Sequence, residues 1–130
     1  MNVSDFGGDH SVQSIAQLEQ LFGVRFKYDQ NQFALSPDSS NYPLLLIYMR
    51  ENLAVIYYIP EDGQAGYVSL GGKMNLDPKE RTTFSIDNLD PGETIDVLNN
   101  SIVPFPEALE AAKEFFRSQE LPRSIEWRQL

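Results

Sequence analysis

His10 is the only histidine of the chain and is therefore the first candidate for acid–base chemistry near neutral pH. Asp9 and Ser11 flank it, so the three residue types of a Ser-His-Asp site stand side by side. Such a site needs the three side chains held against one another in space, and adjacency along the chain does not provide that geometry. We therefore expect His10 to be an exposed histidine near the N-terminus and not a catalytic base.

Two further segments contain residue types that bind phosphate or metal ions in other proteins. Gly71-Gly72-Lys73 lacks the other glycine and the Ser or Thr of a phosphate-binding loop, and we interpret it as a hairpin turn. The acids between residues 87 and 96 do not match the spacing of a twelve-residue calcium loop. The absence of cysteine excludes disulfides and cysteine-ligated zinc. We expect neither a metal nor a cofactor.

The charge balance of the 130-residue chain gives information about its partners. Nineteen acidic and ten basic residues give a formal net charge of −9. Nucleic acids and anionic membranes are bound mainly through positive charge, so both are disfavoured as direct partners. A basic protein partner is favoured, because opposite charges speed association. The alternative is that the acidity serves only to keep the protein soluble.

The acidic residues are unevenly distributed. Residues 82–112 contain no Lys or Arg, and an Asp-Pro-Gly turn at residues 90–92 lies between two predicted strands there. A second acidic turn, residues 61–62, follows two tyrosines that we expect to be exposed. Tyrosines rimmed by carboxylates are a composition typical of binding hot spots. We predict that a partner contacts Tyr57, Tyr58, Glu61, Asp62, Asp87, Asp90, Glu93 and Asp96. Solvated loops without a partner are an equally compatible interpretation.

Two amphipathic helices must position these turns. Residues 106–117 have a proline in the first turn, acids early, bases late, and apolar residues every three or four positions. Residues 12–22 show a weaker version of this pattern, with Ser11 as the N-cap and Gly23 after the last turn. Strands are predicted at residues 32–36, 43–49, 53–59, 67–70, 82–86, 94–97 and 124–127.

The densest apolar runs, residues 43–49 and 53–59, predict a central antiparallel hairpin. We predict an α+β fold in a single domain over residues 1–130: a twisted antiparallel sheet of about five to seven strands, packed by two helices on one face. The N-terminal residues lack the basic and apolar regions of a signal peptide, and no apolar run approaches the ~20 residues that cross a bilayer. We therefore expect a cytoplasmic protein.

The segment from Pro104 to Trp127 resembles the C-terminal signature of the first-numbered immunity protein family of bacterial polymorphic toxin systems. That signature is a Pro/Glu-led, alanine-rich helix with a Glu-Phe end, then a short linker, a proline and a final tryptophan. The matching residues here are Pro106, Ala108, Phe115, Phe116, Pro122 and Trp127. A glycine commonly follows the helix in this family, whereas Ser118-Gln119-Glu120 occupies that position here.

The resemblance implies a binding protein without catalysis. Its partner would be a cognate basic toxin domain, bound as a heterodimer, that is a nucleobase deaminase or a nuclease. Blocking of the toxin's active site or of substrate access would neutralise it. Trp127 resembles the family's tryptophan, and we expect it to pack in the core rather than to contact the toxin.

Two other functions remain open on the residues alone. A small hydrolase would use a pair of carboxylates or His10, and nothing in the sequence selects such a pair. A generic interaction or regulatory domain would pair with a partner or a second copy through an exposed sheet edge.

Overall fold

The computed structural model describes residues 1–72 and 74–130. Two helices are present in these residues, α1 (Ile15–Phe22) and α2 (Phe105–Ser118), with single 3₁₀ turns at Lys27–Asp29 and Asn99–Ser101. The strands are β1 (Asn2–Asp5), β2 (Gly8–Ser11), β3 (Gln30–Ser36), β4 (Leu44–Arg50), β5 (Leu53–Ile59), β6 (Tyr67–Leu70), β7 (Arg81–Ser85), β8 (Thr94–Leu98), β9 (Val103–Pro104) and β10 (Glu126–Gln129).

The main sheet of the described residues has eight strands, in the order β10-β6-β5-β4-β3-β1-β2, with the short β9 paired to β5. All its pairings are antiparallel, and the predicted hairpin of β4 and β5 lies at its centre. The α+β prediction is therefore confirmed. Residues 2–5 and 8–11 form an antiparallel hairpin, and this hairpin adds two strands to one edge of the sheet.

Both helices pack on one face of this sheet, as the apolar periodicity predicted. Phe33, Ile47 and Ile56 are fully buried neighbours on β3, β4 and β5, and they form the floor beneath the helices. Phe22 of α1 stacks on Phe33 with ring centroids 4.2 Å apart. Phe115 of α2 meets the ring of Tyr58 edge-on at 6.2 Å. Burial of these rings is the main stabilising term for the helix layer.

The opposite face is covered by the antiparallel hairpin of β7 and β8, which forms a second, two-stranded sheet. Phe84 and Val97 of the hairpin are buried against Val55, Val68 and Ile102. The sequence predicted both strands but did not separate them from the main sheet. Because β4 and β5 are apolar on both faces, the second face also needs a cover, and the hairpin provides it.

Two local predictions are wrong. Ser11 is the last residue of β2, and the N-cap of α1 is Ser14, whose hydroxyl accepts a hydrogen bond from the Gln17 N–H. Gly71 does not lead into a hairpin, since β6 pairs with β5 and β10 and not with β7. A Cβ on Gly71 would lie 1.9 Å from the Ile102 carbonyl oxygen, so close backbone approach explains this glycine. Lys73, the last residue of that predicted turn, lies outside the described residues.

The C-terminal motif residues hold α2 and β10 together. Ala108 and Phe115 are fully buried, and Phe116 packs partly buried against the same core. Pro122 is buried, and its carbonyl oxygen accepts a 2.7 Å hydrogen bond from the Trp127 indole N–H. The Trp127 ring is half-buried and lies 6.5 Å from the Tyr58 ring, as a packing role requires. Pro106 occupies the first turn of α2.

The end of α2 leads to a prediction about stability. Gln119 takes the left-handed conformation, with φ 56° and ψ 28°, at the position where a glycine is usual. Glycine adopts this conformation without the Cβ penalty, so we expect Gln119→Gly to raise the free energy of unfolding by about 0.5–1 kcal/mol. Urea unfolding measures this change. Gln119→Ala is the control, because alanine keeps the Cβ, and an equal gain in both variants would contradict the explanation.

Among the described residues, no helix is long and apolar enough to cross a membrane.

Candidate functional site

His10 has a structural partner. It lies on β2, and its Nε2 is 3.0 Å from Oδ1 of Asp5, whose side chain is only 2% exposed. Asp5 also accepts hydrogen bonds from the Gly7 N–H and from the side-chain amide of Asn31. Ser11 points to the other face of the strand, because neighbouring strand residues alternate, and its hydroxyl accepts a hydrogen bond from Gln13. The residues around His10 are therefore not arranged as a base and its nucleophile.

The described parts of the chain also contain no group of three His, Asp or Glu side chains placed to hold a metal ion.

The two tyrosines predicted to contact a partner lie on opposite faces of β5. Tyr58 is 8% exposed and packs among Tyr67, Phe115 and Trp127, so the expectation that it is exposed is wrong. Tyr57 is half-buried on the hairpin face, with its ring edge-on to Tyr48 at 6.1 Å. The alternation of side chains along a strand explains why the two neighbours cannot share one surface.

The predicted acids lie in two separate places. Glu61 and Asp62 are exposed in the loop after β5, where Tyr42 donates a 3.4 Å hydrogen bond to Asp62. The loop between β7 and β8, residues 86–93, lies near the other end of β5, beside the start of β3. A strand of seven residues spans about 23 Å, so the two acidic loops do not form one continuous patch.

Residues 86–93 form the hairpin tip, and its acids have distinct roles. Asp87 organises the turn, because its carboxylate accepts hydrogen bonds from the N–H groups of Leu89 and Glu93, both at 3.0 Å. Asp90 is exposed and accepts a 2.8 Å hydrogen bond from the Tyr28 hydroxyl. Glu93 is exposed at the start of the return strand. Within residues 1–72 and 74–130, none of these three carboxylates forms an ion pair.

Asp96 lies outside the tip, on the outer surface of the hairpin. It is exposed, and its carboxylate accepts a 2.6 Å hydrogen bond from the hydroxyl of Thr83 on the paired strand. Asp96 therefore shares the hairpin with the tip acids but does not lie in their loop.

Two exposed apolar side chains flank Asp90 and were not predicted. Leu89 is 68% exposed and Tyr28 is 66% exposed, the highest values among the large apolar residues of the described chain. The hydrogen bond to Asp90 and its charge raise the pKa of the Tyr28 phenol, so this hydroxyl remains a donor at neutral pH. An exposed aromatic and an exposed aliphatic side chain surrounded by carboxylates have the composition of a binding hot spot.

The backbone around Tyr28 is held in an uncommon conformation. Tyr28, Asp29 and Glu51 have φ values of 60°, 57° and 55°, and they are three of the four non-glycine residues with positive φ in the described chain. Asp29 and Glu51 are joined directly, because the Glu51 N–H donates to the Asp29 carbonyl at 2.9 Å. Residues held in sparsely populated φ/ψ regions cluster at binding sites, so the backbone conformation also favours this end of the sheet as a binding surface.

The hairpin is fixed to the sheet on both sides of the tip. The Ser85 N–H donates a 2.6 Å hydrogen bond to the Gln30 side chain, and Arg50 donates a 2.9 Å hydrogen bond to the Thr83 carbonyl. Phe84 anchors the strand between these bonds through full burial. We define the hairpin-tip surface as Tyr28, Asp87, Leu89, Asp90 and Glu93. An apolar pair beside three carboxylates, carried by a hairpin that is fixed to the sheet, can bind a basic protein surface.

Comparison with known proteins gives two findings. The family model described as Immunity protein Imm1 matches residues 54–129, which run from β5 to β10 and include the hairpin. The chain is also 28% identical over 130 residues to the double-stranded DNA deaminase immunity protein of Burkholderia cenocepacia (strain H111), and the aligned region covers all of both chains.

Proposed function

Because the chain belongs to the Imm1 immunity protein family, we propose that it binds and neutralises a cognate bacterial toxin domain that deaminates nucleobases in DNA. The observation that carries the choice of a deaminase is the similarity, over the full length of both chains, to a double-stranded DNA deaminase immunity protein. The protein then acts as a stoichiometric inhibitor and not as an enzyme. The arrangement around His10 agrees with this role, since it provides no nucleophile.

The hairpin-tip surface is the proposed contact with the toxin. A protein that acts on DNA needs a basic channel for phosphates, and an acidic surface is complementary to such a channel. The net charge of −9 steers the two proteins together, and Tyr28 and Leu89 then provide apolar contact at short range. Occupation of the channel keeps DNA out, either by covering the active site or by barring the path to it.

Inhibition of a deaminase toxin domain at equimolar ratio is the direct test of this function. We expect the wild-type protein to abolish deamination of a duplex DNA substrate and to relieve growth arrest when it is co-expressed with the toxin. Asp90→Lys with Glu93→Lys should weaken inhibition by more than about tenfold, mainly through slower association, because the reversed charges oppose a basic partner. Sequencing of the deaminated strand measures activity, and stopped-flow mixing measures the association rate.

Glu61→Lys with Asp62→Lys is the matched control, because it changes the net charge equally at the other end of β5. We expect this control variant to lose only the long-range electrostatic attraction. Its association rate should therefore approach that of the wild-type protein when salt is added. A larger loss in this control would move the contact to the loop after β5. Full deaminase activity in the presence of excess wild-type protein would refute the function itself.

A further inference from the structure

The outer edge of the main sheet at β10 is open. Among the described residues only β6 pairs with this strand, and on that inner side the Leu130 N–H donates a 2.9 Å hydrogen bond to the Gly66 carbonyl. Hydrogen-bonded and non-hydrogen-bonded residues alternate along an antiparallel ladder. The N–H and C=O groups of Trp127 and Gln129 therefore point outward, away from β6. An edge of this kind offers its backbone groups to a further strand.

β10 also lacks the features that prevent an edge strand from pairing. It contains no proline or glycine, and none of its residues has a positive φ. Residues 121–130 contain two arginines and one glutamate, so the acidity of the chain does not extend to this edge. The opposite edge differs, since β2 contains Gly8, with φ 125°, and the exposed carboxylate of Asp9. A glycine weakens a strand, and a charge of one sign repels an identical strand.

We propose that two copies of this chain pair antiparallel through β10, with a twofold axis at Trp127. In this register Trp127 lies opposite itself, and the two residues exchange hydrogen bonds through their outward backbone groups. Glu126 of each copy lies opposite Arg128 of the other copy, so both flanking pairs join opposite charges. These flanking pairs are non-hydrogen-bonded, with Cα atoms about 4.5 Å apart and the side chains at their closest.

Charge decides between this register and its neighbours. Moving the twofold axis to Glu126 or to Arg128 keeps the helix layers of both copies on one face, but it places two identical charges opposite each other. Both side chains are exposed, and in the described parts of the chain neither forms an ion pair. Trp127 lies on the other face of the strand, where its half-buried ring provides apolar contact with the ring of the second copy.

The dimer leaves the hairpin-tip surface free. That surface lies beside the start of β3, and four strand spacings, about 19 Å, separate β3 from β10. Each copy keeps its own surface for a toxin, so the inference goes beyond the proposed function and does not depend on it. A strand of four residues provides a small interface, and we therefore expect a weak, concentration-dependent dimer.

Sedimentation equilibrium of the protein alone, from about 10 μM to about 1 mM, tests the proposal in the range expected of a small interface. We expect dimers of the wild-type protein toward the upper end. Glu126→Arg and Arg128→Glu each place like charges in both flanking pairs, so each should raise the dimer dissociation constant by about tenfold or more. An equimolar mixture of these two variants should dimerise again, because every Arg of one then faces a Glu of the other.

Asp9→Arg is the matched control. It changes the net charge as Glu126→Arg does, but on β2 at the opposite edge of the sheet. We expect it to dimerise as the wild-type protein does, whereas net charge alone predicts that both variants dimerise more readily, because both are less negative. Thermal unfolding confirms that the variants fold.

Three results would overturn the proposal: a wild-type protein that stays monomeric over the whole range, a mixture of the two β10 variants that stays monomeric, or an equal loss of dimer in Asp9→Arg. No toxin domain takes part in these measurements. Failure of the dimer is therefore distinct from failure of the proposed function.

Discussion

Replacing Tyr28 or Leu89 with alanine is expected to weaken toxin binding by about thirtyfold each, equivalent to roughly 2 kcal/mol. Both side chains flank Asp90 in the hairpin-tip surface and are about two-thirds exposed, so neither contributes a packed contact that the free protein would lose. Their loss therefore acts on the complex and not on the fold. Titration calorimetry against an inactive toxin domain measures the change in affinity.

Val24→Ala is the matched control for these two variants. Val24 is also a large exposed apolar residue, with 41% exposure, but it lies next to α1, away from the hairpin tip. We expect its replacement to leave the affinity within a factor of about two, as is usual for residues outside an interface. Equal effects of Val24→Ala and Leu89→Ala would show that the hairpin tip is not the centre of the contact.

Tyr28→Phe separates the ring of Tyr28 from its hydroxyl. The phenylalanine keeps the apolar contact but removes the hydrogen bond to Asp90. Because that bond is exposed and competes with water, we expect Tyr28→Phe to retain most of the affinity that Tyr28→Ala loses. A loss as large as that of alanine would instead mean that the hydroxyl positions Asp90 for the toxin.

Tyr57 and Tyr58 show where sequence reasoning about the binding site reached its limit. The apolar run 53–59 predicted β5 correctly, and the continuous pattern correctly indicated burial of both faces. It did not say which face α2 covers. That information comes from the pairing of Tyr58 with Tyr67 and from its contact with Phe115, both of which depend on long-range packing.

Tyr28 was missed for a different physical reason. Its exposure follows from two consecutive left-handed residues, Tyr28 and Asp29, which turn the chain just before β3. Asp29 is of a type that tolerates this conformation, but Tyr28 is not, so the sequence does not indicate two consecutive left-handed residues. Leu89 was predictable in part, because an isolated leucine beside an Asp-Pro-Gly turn has no periodic neighbours to pack with.

The hairpin cover was not predicted, although both of its strands were. The alternation of apolar and polar residues predicted β7 and β8, and the Asp-Pro-Gly sequence predicted the turn between them. Such a pattern does not specify which other strand, or which face of the sheet, a predicted strand packs against. The sequence did indicate that something must cover this face, because Val55 and Tyr57 place apolar side chains on the face opposite the helices. Phe84 fills this face with a fully buried ring, and it connects the hairpin that carries the proposed binding surface to the core.

Phe84→Ala is expected to lower the free energy of unfolding by about 3–5 kcal/mol, because removal of a fully buried ring leaves a cavity. Loss of this anchor should also release the hairpin locally, since the other links of β7 to the sheet at this position are the hydrogen bonds of Gln30 and Arg50. Hydrogen exchange should therefore become faster in residues 81–98 before the sheet opens.

Phe115→Ala tests whether that release is specific. Phe115 is equally buried, but it lies in the helix layer on the other face of the sheet, so we expect a similar loss of unfolding free energy without faster exchange in the hairpin. At a temperature where both variants remain folded, Phe115→Ala should bind the toxin with nearly wild-type affinity, whereas Phe84→Ala should bind weakly because its hairpin is no longer held in the binding geometry. Equal binding by the two variants would contradict the hairpin as the contact, because only one of them disturbs its attachment.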